Sequence, residues 1–178
     1  YKVLKKHIEE EDKIAINLLG LKGIHYRQNL KRTYPQMEIS SHVVGITDTD
    51  RIGIQGTELV LDRVLKGRDG FFTGVKGPIG VMGGERSSPL DGLNLKLTID
   101  IRLQSIAYHE LKKAVEKFGA TSGSIVIIDP QKADILALTN FPSFNPSNRK
   151  NLLDLSTLRN RATIDVFEPG SVLKPLAM

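Results

Sequence analysis

A serine and a lysine three residues apart, Ser171 and Lys174, are the pair whose types and spacing suit covalent chemistry. On a helix, residues three apart are neighbours, so a hydroxyl and an amine at this spacing can meet on one face. Pro169 and Gly170 stand directly before Ser171 and supply a turn that leads into a helix start. Backbone N–H groups at a helix N-terminus are unsatisfied and can hold an oxyanion, and the helix dipole favours negative charge there. Lys174, if held neutral, would act as general base on the Ser171 hydroxyl, the arrangement of an acyl-transfer nucleophile. A free lysine is protonated at neutral pH, so neutrality demands burial or a nearby cation. The spacing alone leaves a second reading open, in which Ser171 is an ordinary helix N-cap and Lys174 a solvated cation. Ser147 and Lys150 share the spacing but follow Asn145-Pro146 in a polar loop without a helix-start turn, and are read as a chance match.

Other candidate groups are weaker. Asp165 and Glu168 precede the serine and invite an acid–base role, but a turn-stabilising or capping role suits their position better. Asp129 and Asp134 flank a hairpin turn and are read as turn formers. His7, His25, His42 and His109 show no metal-like spacing, and the absence of cysteine removes thiolate nucleophiles, disulfides and cysteine-based zinc sites. Neither a metal nor a cofactor is expected. The formal charge of +5 is spread along the chain and interleaved with acids, as where Lys5-Lys6 lie beside Glu9-Glu10-Glu11-Asp12. That pattern describes a solvated surface facing an anionic wall or membrane, not a nucleic-acid footprint.

The elements that must position the pair follow from periodicity. Leu103, Ala107, Leu111, Ala114, Val115 and Phe118 form an apolar stripe, opened by Asp100 as N-cap and ended by Gly119. Ser124 to Asp129 and Asp134 to Thr139 are apolar on successive positions and joined by a short turn, which predicts a hairpin covered on both faces. Leu93 to Ile99 alternates as a strand. Before these, residues 2–19 have helical spacing, 23–27 and 30–35 have strand composition, 40–47 begin a short helix or strand, and 58–65 form a second helix closed by Gly67. Residues 70–91 are rich in Gly but lack the Gly-Lys-Ser/Thr ending of a phosphate loop, so they are read as a hairpin and linker. Helix followed by buried hairpin predicts an α+β sandwich layer, and the linker predicts domains at 1–91 and 92–178. The apolar runs Ile125 to Ile128 and Ile135 to Leu138 fall far short of the roughly 20 residues that span a bilayer. The chain opens at Tyr1 and stops within an apolar stretch at Met178, so it is expected to be a piece of a longer protein with any membrane anchor outside it.

The stretch Glu168-Pro169-Gly170-Ser171-Val172-Leu173-Lys174-Pro175 resembles the signature of the penicillin-binding protein transpeptidases. The likeness extends through Asn160-Arg161, the hairpin Gly123 to Leu138, Asn140 to Pro146, and Leu97 to Gln104. It continues upstream through Gly23-Ile24, Arg32-Thr33-Tyr34-Pro35, His42 to Gly45, and Gly53 to Gly67, a portion similar to the pedestal of class B enzymes. Gln36-Met37, where relatives often carry a Gly, is a departure at a loop position. The details look most like the division-specific, penicillin-binding protein 3 type of Gram-negative bacteria. The resemblance implies an α+β fold made of an N-terminal pedestal domain plus the first part of a serine transpeptidase α/β sandwich. It implies a protein anchored by a single pass at the periplasmic face of the inner membrane. Its activity would be peptidoglycan D,D-transpeptidation in septal cell-wall synthesis, with Ser171 acylated by D-Ala-D-Ala stem peptides and by β-lactams, and with Lys174 as its partner. Divisome membrane proteins are the implied partners. The Ser-x-Asn and Lys-Thr/Ser-Gly motifs of the family lie downstream of this stretch, so the 178 residues alone are expected to be inactive and the segment bearing Ser171 to lack packing partners. The rival reading is a non-catalytic periplasmic interaction or scaffold module. A Ser-His-Asp hydrolase is disfavoured by the lack of a Gly-x-Ser-x-Gly elbow.

Overall fold

The computed structural model describes residues 2–5, 8–27, 30–77, 80–148 and 154–176. It divides into two units, Tyr1–Lys31 and Arg32–Met178.

In the first unit, helix α1 (Glu10–Leu18) is shorter than the helical spacing of residues 2–19 predicts. Three acids, Glu10, Glu11 and Asp12, occupy its first turn, where the helix dipole favours them. No residue of α1 is buried, and residues 24–27 and 30–31 form no strand, nor do residues 32–34 at the start of the second unit. Strand composition needs a partner edge to become a strand, and none pairs with these segments among the described residues.

The second unit opens with a 3-10 turn (Met37–Ile39), then α2 (Ser41–Val44), β1 (Ile46–Thr47), β2 (Gly53–Gln55), α3 (Gly56–Val60) and α4 (Asp62–Leu65). The single helix expected over 58–65 is thus two short ones that meet at Leu61. The end of α2 and the start of α3 approach so closely that a Cβ at Gly45, whose φ is +83°, would overlap the Gln55 carbonyl oxygen. Glycine is required there on both counts. Arg32 Nε lies 3.0 Å from Glu58 Oε1, and this pairing answers the burial of Glu58 on α3. Residues 70–92 form the expected hairpin, β3 (Phe71–Gly77) against β4 (Gly80–Ser87), antiparallel with a register shift between Thr73 and Val75.

Helix α5 (Ile101–Phe118) matches its prediction at both ends. The Asp100 carboxylate accepts from the Arg102 N–H at 2.8 Å, and Gly119 closes the helix in the left-handed conformation. The Arg102 guanidinium beside it holds the Asp100 carboxyl down at about 2. The buried face runs through Gln104, Ala107, Leu111 and Val115, while Phe118 is exposed. Strands β5 (Gly123–Ile128) and β6 (Ile135–Phe141) pair antiparallel, with Ser124 opposite Asn140. Asp129 forms their turn: its backbone bonds Asp134 and its carboxylate accepts from the Gln131 N–H at 2.9 Å. Strand β6 is buried along Ala137–Asn140, but burial along β5 alternates and Val126 and Ile128 are exposed. Cover on both faces, as predicted, therefore holds for β6 and not for β5.

Residues 93–99 form no strand. The free edge of β6 is instead satisfied piecemeal. Asp100 N–H donates to the Leu136 carbonyl at 2.9 Å, Thr98 Oγ1 donates to the Ile135 carbonyl at 2.7 Å, and the Gln104 side chain both accepts from Leu138 N–H (2.8 Å) and donates to its carbonyl (2.7 Å). The Gln104 amide stands where the next strand would hydrogen-bond, so no buried backbone group of Leu138 is left unpaired.

The core joins the start and the end of this unit. Tyr34, Ile46 and Phe144 are buried together, with Val44 and Leu158 packed against them. Polar bonds follow the same path. Ser41 and Ser143 hydroxyls meet at 2.8 Å, Gln104 Nε2 donates to the Ile39 carbonyl at 2.7 Å, and Gln55 Nε2 donates to the Leu158 carbonyl. His42 is buried edge-on against Phe144, with Nε2 2.9 Å from the Thr157 carbonyl.

Burial holds the His42 imidazole below its ordinary pKa, against the Thr157 hydrogen bond, and the Arg161 charge lowers it further. The folded chain therefore favours neutral His42, whereas the unfolded chain takes up a proton near pH 6.5. The stability is fully present above that pH. It is expected to fall as pH drops below about 6.5, by up to about 1.4 kcal/mol per pH unit over the interval between the two pKa values. Unfolding measured at pH 7.5 and 5.0 tests this against His42→Gln. An unchanged slope in the variant would remove His42 as the cause.

Candidate functional site

Two short helices lead to the serine, α6 (Leu155–Leu158) and α7 (Arg161–Ile164). Asp154 caps α6 by accepting from the Ser156 N–H at 2.9 Å. The bonds from His42 to Thr157 and from Gln55 to Leu158 then tie α6 to residues 42–55.

Helix α7 packs on the ends of β5 and β6 through one side chain above all. Asn140 is wholly buried. Its Oδ1 accepts from Ser124 Oγ at 2.8 Å and from the Ala162 N–H at 2.9 Å, while its Nδ2 donates to Asn160 Oδ1 at 3.0 Å. At the other end of α7, Asp165 is the C-cap. Its carboxylate is paired with Arg159 Nε and lies 3.6 Å from Arg161 NH1. This matches the turn-stabilising reading of Asp165, since two guanidinium groups occupy its charge.

Beyond Asp165 the chain runs exposed through Val166, Phe167 and Glu168 to a 3-10 helix spanning Gly170–Leu176. Gly170 opens it with a φ of +52° and nothing near its missing Cβ, so conformation and not space calls for glycine. Ser171 and Lys174 both lie on this segment, and both are exposed. A 3-10 helix has about three residues per turn, so side chains at i and i+3 stand one above the other. The two groups thus share a side of the segment, one turn apart. Among the described side chains of this segment, those of Ser171, Leu173 and Lys174 are exposed.

Among the other candidates, Ser147 donates its backbone N–H to Asn145 Oδ1 in a turn, while Lys150 lies outside the described residues. His109 Nδ1 bonds the Ser105 carbonyl one turn back on α5 and His25 is exposed, while His7 lies outside the described residues. Among the described residues no cluster of His, Asp or Glu could hold a metal, and no helix is long and apolar enough to cross a membrane. The residues that sequence reasoning missed are polar ties, the buried Gln104 and Asn140 and the half-buried Asn160. Gln104 had a signal, since it continues the Ala107, Leu111, Val115 face by one turn. Asn140, at the end of an apolar run, had only its position.

Comparison with known proteins adds the wider setting. A family model for the penicillin-binding protein dimerisation domain matches residues 2–97, and one for the penicillin binding protein transpeptidase domain matches 123–178. The chain is similar to a probable peptidoglycan D,D-transpeptidase, PbpC, of Pseudomonas aeruginosa, at 39% identity over 98% of the chain and 31% of the relative. It is similar to the peptidoglycan D,D-transpeptidase FtsI of Escherichia coli, at 40% identity over 92% of the chain and 28% of the relative. Among solved structures, a peptidoglycan synthetase from Bifidobacterium adolescentis superposes with a TM-score of 0.75 at 31% identity, covering 100% of the chain and 33% of that structure. The chain thus spans about a third of the length of these proteins, and its mixed helix and strand architecture is the N-terminal part of their fold.

Proposed function

Because this chain belongs to the penicillin-binding protein family, we propose that it carries the nucleophile of a serine-type peptidoglycan D,D-transpeptidase at Ser171, with Lys174 as its base. The observation that carries the reading is the exposed 3-10 segment on which the two side chains stand one turn apart. Its sequence is the Glu-Pro-Gly-Ser-x-x-Lys-Pro stretch.

The chemistry follows from those two groups. Lys174, neutral in the assembled site, takes the hydroxyl proton as Ser171 Oγ attacks the penultimate carbonyl of a D-Ala-D-Ala stem peptide. The Oγ–C bond forms and the C–N bond to the terminal D-Ala breaks, with the proton passing to the leaving amine. The ester is then attacked by an amine of a neighbouring strand, which restores Ser171. A β-lactam carbonyl enters the same first step, and its ring nitrogen remains attached. In the 178 residues alone Lys174 is exposed, whereas a lysine that serves as general base needs surroundings that favour its neutral form. The isolated chain is therefore inactive.

The similarity to FtsI supports a role in septal wall synthesis at the outer face of the inner membrane, with divisome membrane proteins as partners. The family-model matches over 2–97 and 123–178 support a pedestal followed by the beginning of the transpeptidase domain; the boundary placed at 91/92 rests on the Gly-rich hairpin alone. In that division the bonds of His42 and Gln55 to α6 join pedestal to transpeptidase.

The test is covalent labelling with a fluorescent penicillin, followed by peptide mapping. The full-length protein is expected to carry the label on the peptide containing Ser171, and the 178-residue chain to carry none. An unlabelled full-length protein, or a label mapped elsewhere, would overturn the assignment and leave a scaffold.

A further inference from the structure

We propose that Asn140 is a positioning residue for acylation: through Asn160 and Ala162 it fixes the segment from which the chain departs for Ser171. The inference rests on the reading of Ser171 as nucleophile. It adds a residue that neither touches the substrate nor belongs to the Ser-x-x-Lys pair.

The geometry has three parts. Asn140 is wholly buried at the end of β6, a strand held on one edge by β5 and on the other by Gln104. Its position is therefore set by a strand that is hydrogen-bonded on both edges. Both ends of its amide are spent on fixed partners, and two of the three bonds reach the start of α7: Ala162 N–H at 2.9 Å and Asn160 Oδ1 at 3.0 Å. Helix α7 is only Arg161–Ile164 and has no residue buried. A helix so short does not hold its own place by propensity or by burial, so these bonds decide where it sits. Asp165 caps its far end, and from there the exposed connector runs to Gly170 and Ser171. The Asn140 amide thus ties the start of α7 to β6, beside the bonds of His42 and Gln55 that hold α6. Because Asn140 Oδ1 accepts two bonds while Nδ2 donates, an apolar side chain of similar size leaves a half-buried Ala162 N–H without its partner.

Displacement of a nucleophile by about 1 Å costs about 100-fold in rate, whereas its effect on initial binding of a small ligand is much weaker. The experiment is therefore acylation of the full-length protein by a fluorescent penicillin. It separates the rate constant at saturation from the half-saturating concentration, with thermal unfolding of each variant alongside. Asn140→Ala and Asn160→Ala are each expected to slow the saturated rate by about 10- to 100-fold with the half-saturating concentration little changed. The double variant is expected to be no slower than Asn140→Ala, because Asn140→Ala already removes the one bond that Asn160→Ala breaks. Ser143→Ala, which removes a buried bond that does not reach α7, is the control: it lowers the unfolding temperature and keeps the rate. Should Asn140→Ala not fold, Asn160→Ala, on a half-buried residue, decides the matter. A saturated rate within about twofold of the parent for Asn160→Ala, or losses that multiply in the double variant, would overturn the inference. Ser171→Ala keeps the two readings apart. Labelling that survives it defeats the nucleophile assignment; labelling that it abolishes, with Asn160→Ala unaffected, defeats only the role of Asn140.

Discussion

Replacing Ser171 by alanine in the full-length protein is expected to abolish covalent labelling by β-lactams, and replacing Lys174 by methionine to slow it by about 100- to 10,000-fold. The first substitution removes a single oxygen from an exposed side chain, so the fold has little reason to respond. The second keeps the length of the lysine stem and removes the amine, so it isolates proton transfer from packing. Were Lys174 only a solvated cation, its loss would fall among ordinary surface substitutions, which change stability by about 0.5 kcal/mol or less and the rate hardly at all. A general base is different, because without it the hydroxyl must lose its proton to water. The measurement is the time course of labelling at fixed β-lactam concentration, with Ser147→Ala as comparison. That variant alters the other Ser-x-x-Lys match and is expected to label at the parental rate. Labelling of Ser171→Ala, or a Lys174→Met rate within about tenfold of the parent, would end the acyl-transfer account.

What could be read in advance follows from the range over which each feature is determined. Helix α5 was legible at both ends because its stripe, the Asp100 cap and the Gly119 terminator are all local. The β5–β6 hairpin was legible for the same reason, its partner strands being only a turn apart. Residues 23–27, 30–35 and 93–99 carry strand composition but form no strand, because strand formation depends on a distant edge that composition does not reveal. The same limit applies to the site. Ser171 and Lys174 stood out by type and spacing, and their one-turn relation needed only local geometry. The apparatus beneath them did not stand out. His42 meets Thr157 across 115 positions, Gln55 meets Leu158 across 103, and Gln104 meets Ile39 across 65. A buried polar side chain is chosen for the one partner it meets in the fold, and a single sequence gives no way to see which partner that is.

The second large effect belongs to stability. Phe144→Ala is expected to destabilise the 178-residue chain by about 3–5 kcal/mol. Phe144 is 2% exposed and packs with Tyr34 and Ile46, so its removal leaves a cavity that neighbours from two distant segments must collapse to fill. They are not free to do so. Tyr34 is held by its hydroxyl, which accepts from the Thr47 N–H at 3.0 Å, and His42 by its bond to Thr157. The cavity should stay largely open, which places the loss toward the upper part of that range. In a chain of this size each kcal/mol moves the midpoint by about 2–4 °C, so a fall of roughly 10 °C or more is expected in thermal unfolding. Phe118→Ala removes the same ring from a position 77% exposed and should cost about 0.5 kcal/mol or less. A loss below about 1 kcal/mol for Phe144→Ala would mean that Tyr34 and Ile46 do not share a core with residues 143–158. The aromatic edge of Phe144 also forms part of the wall that keeps His42 out of water, at 5.4 Å between ring centres. With that wall removed, His42 regains solvent and its burial no longer opposes protonation, so the fall in stability below pH 6.5 should shrink in the same variant. One substitution therefore reads both the joint between the two ends of the unit and the origin of its acid sensitivity, and the two results must change together.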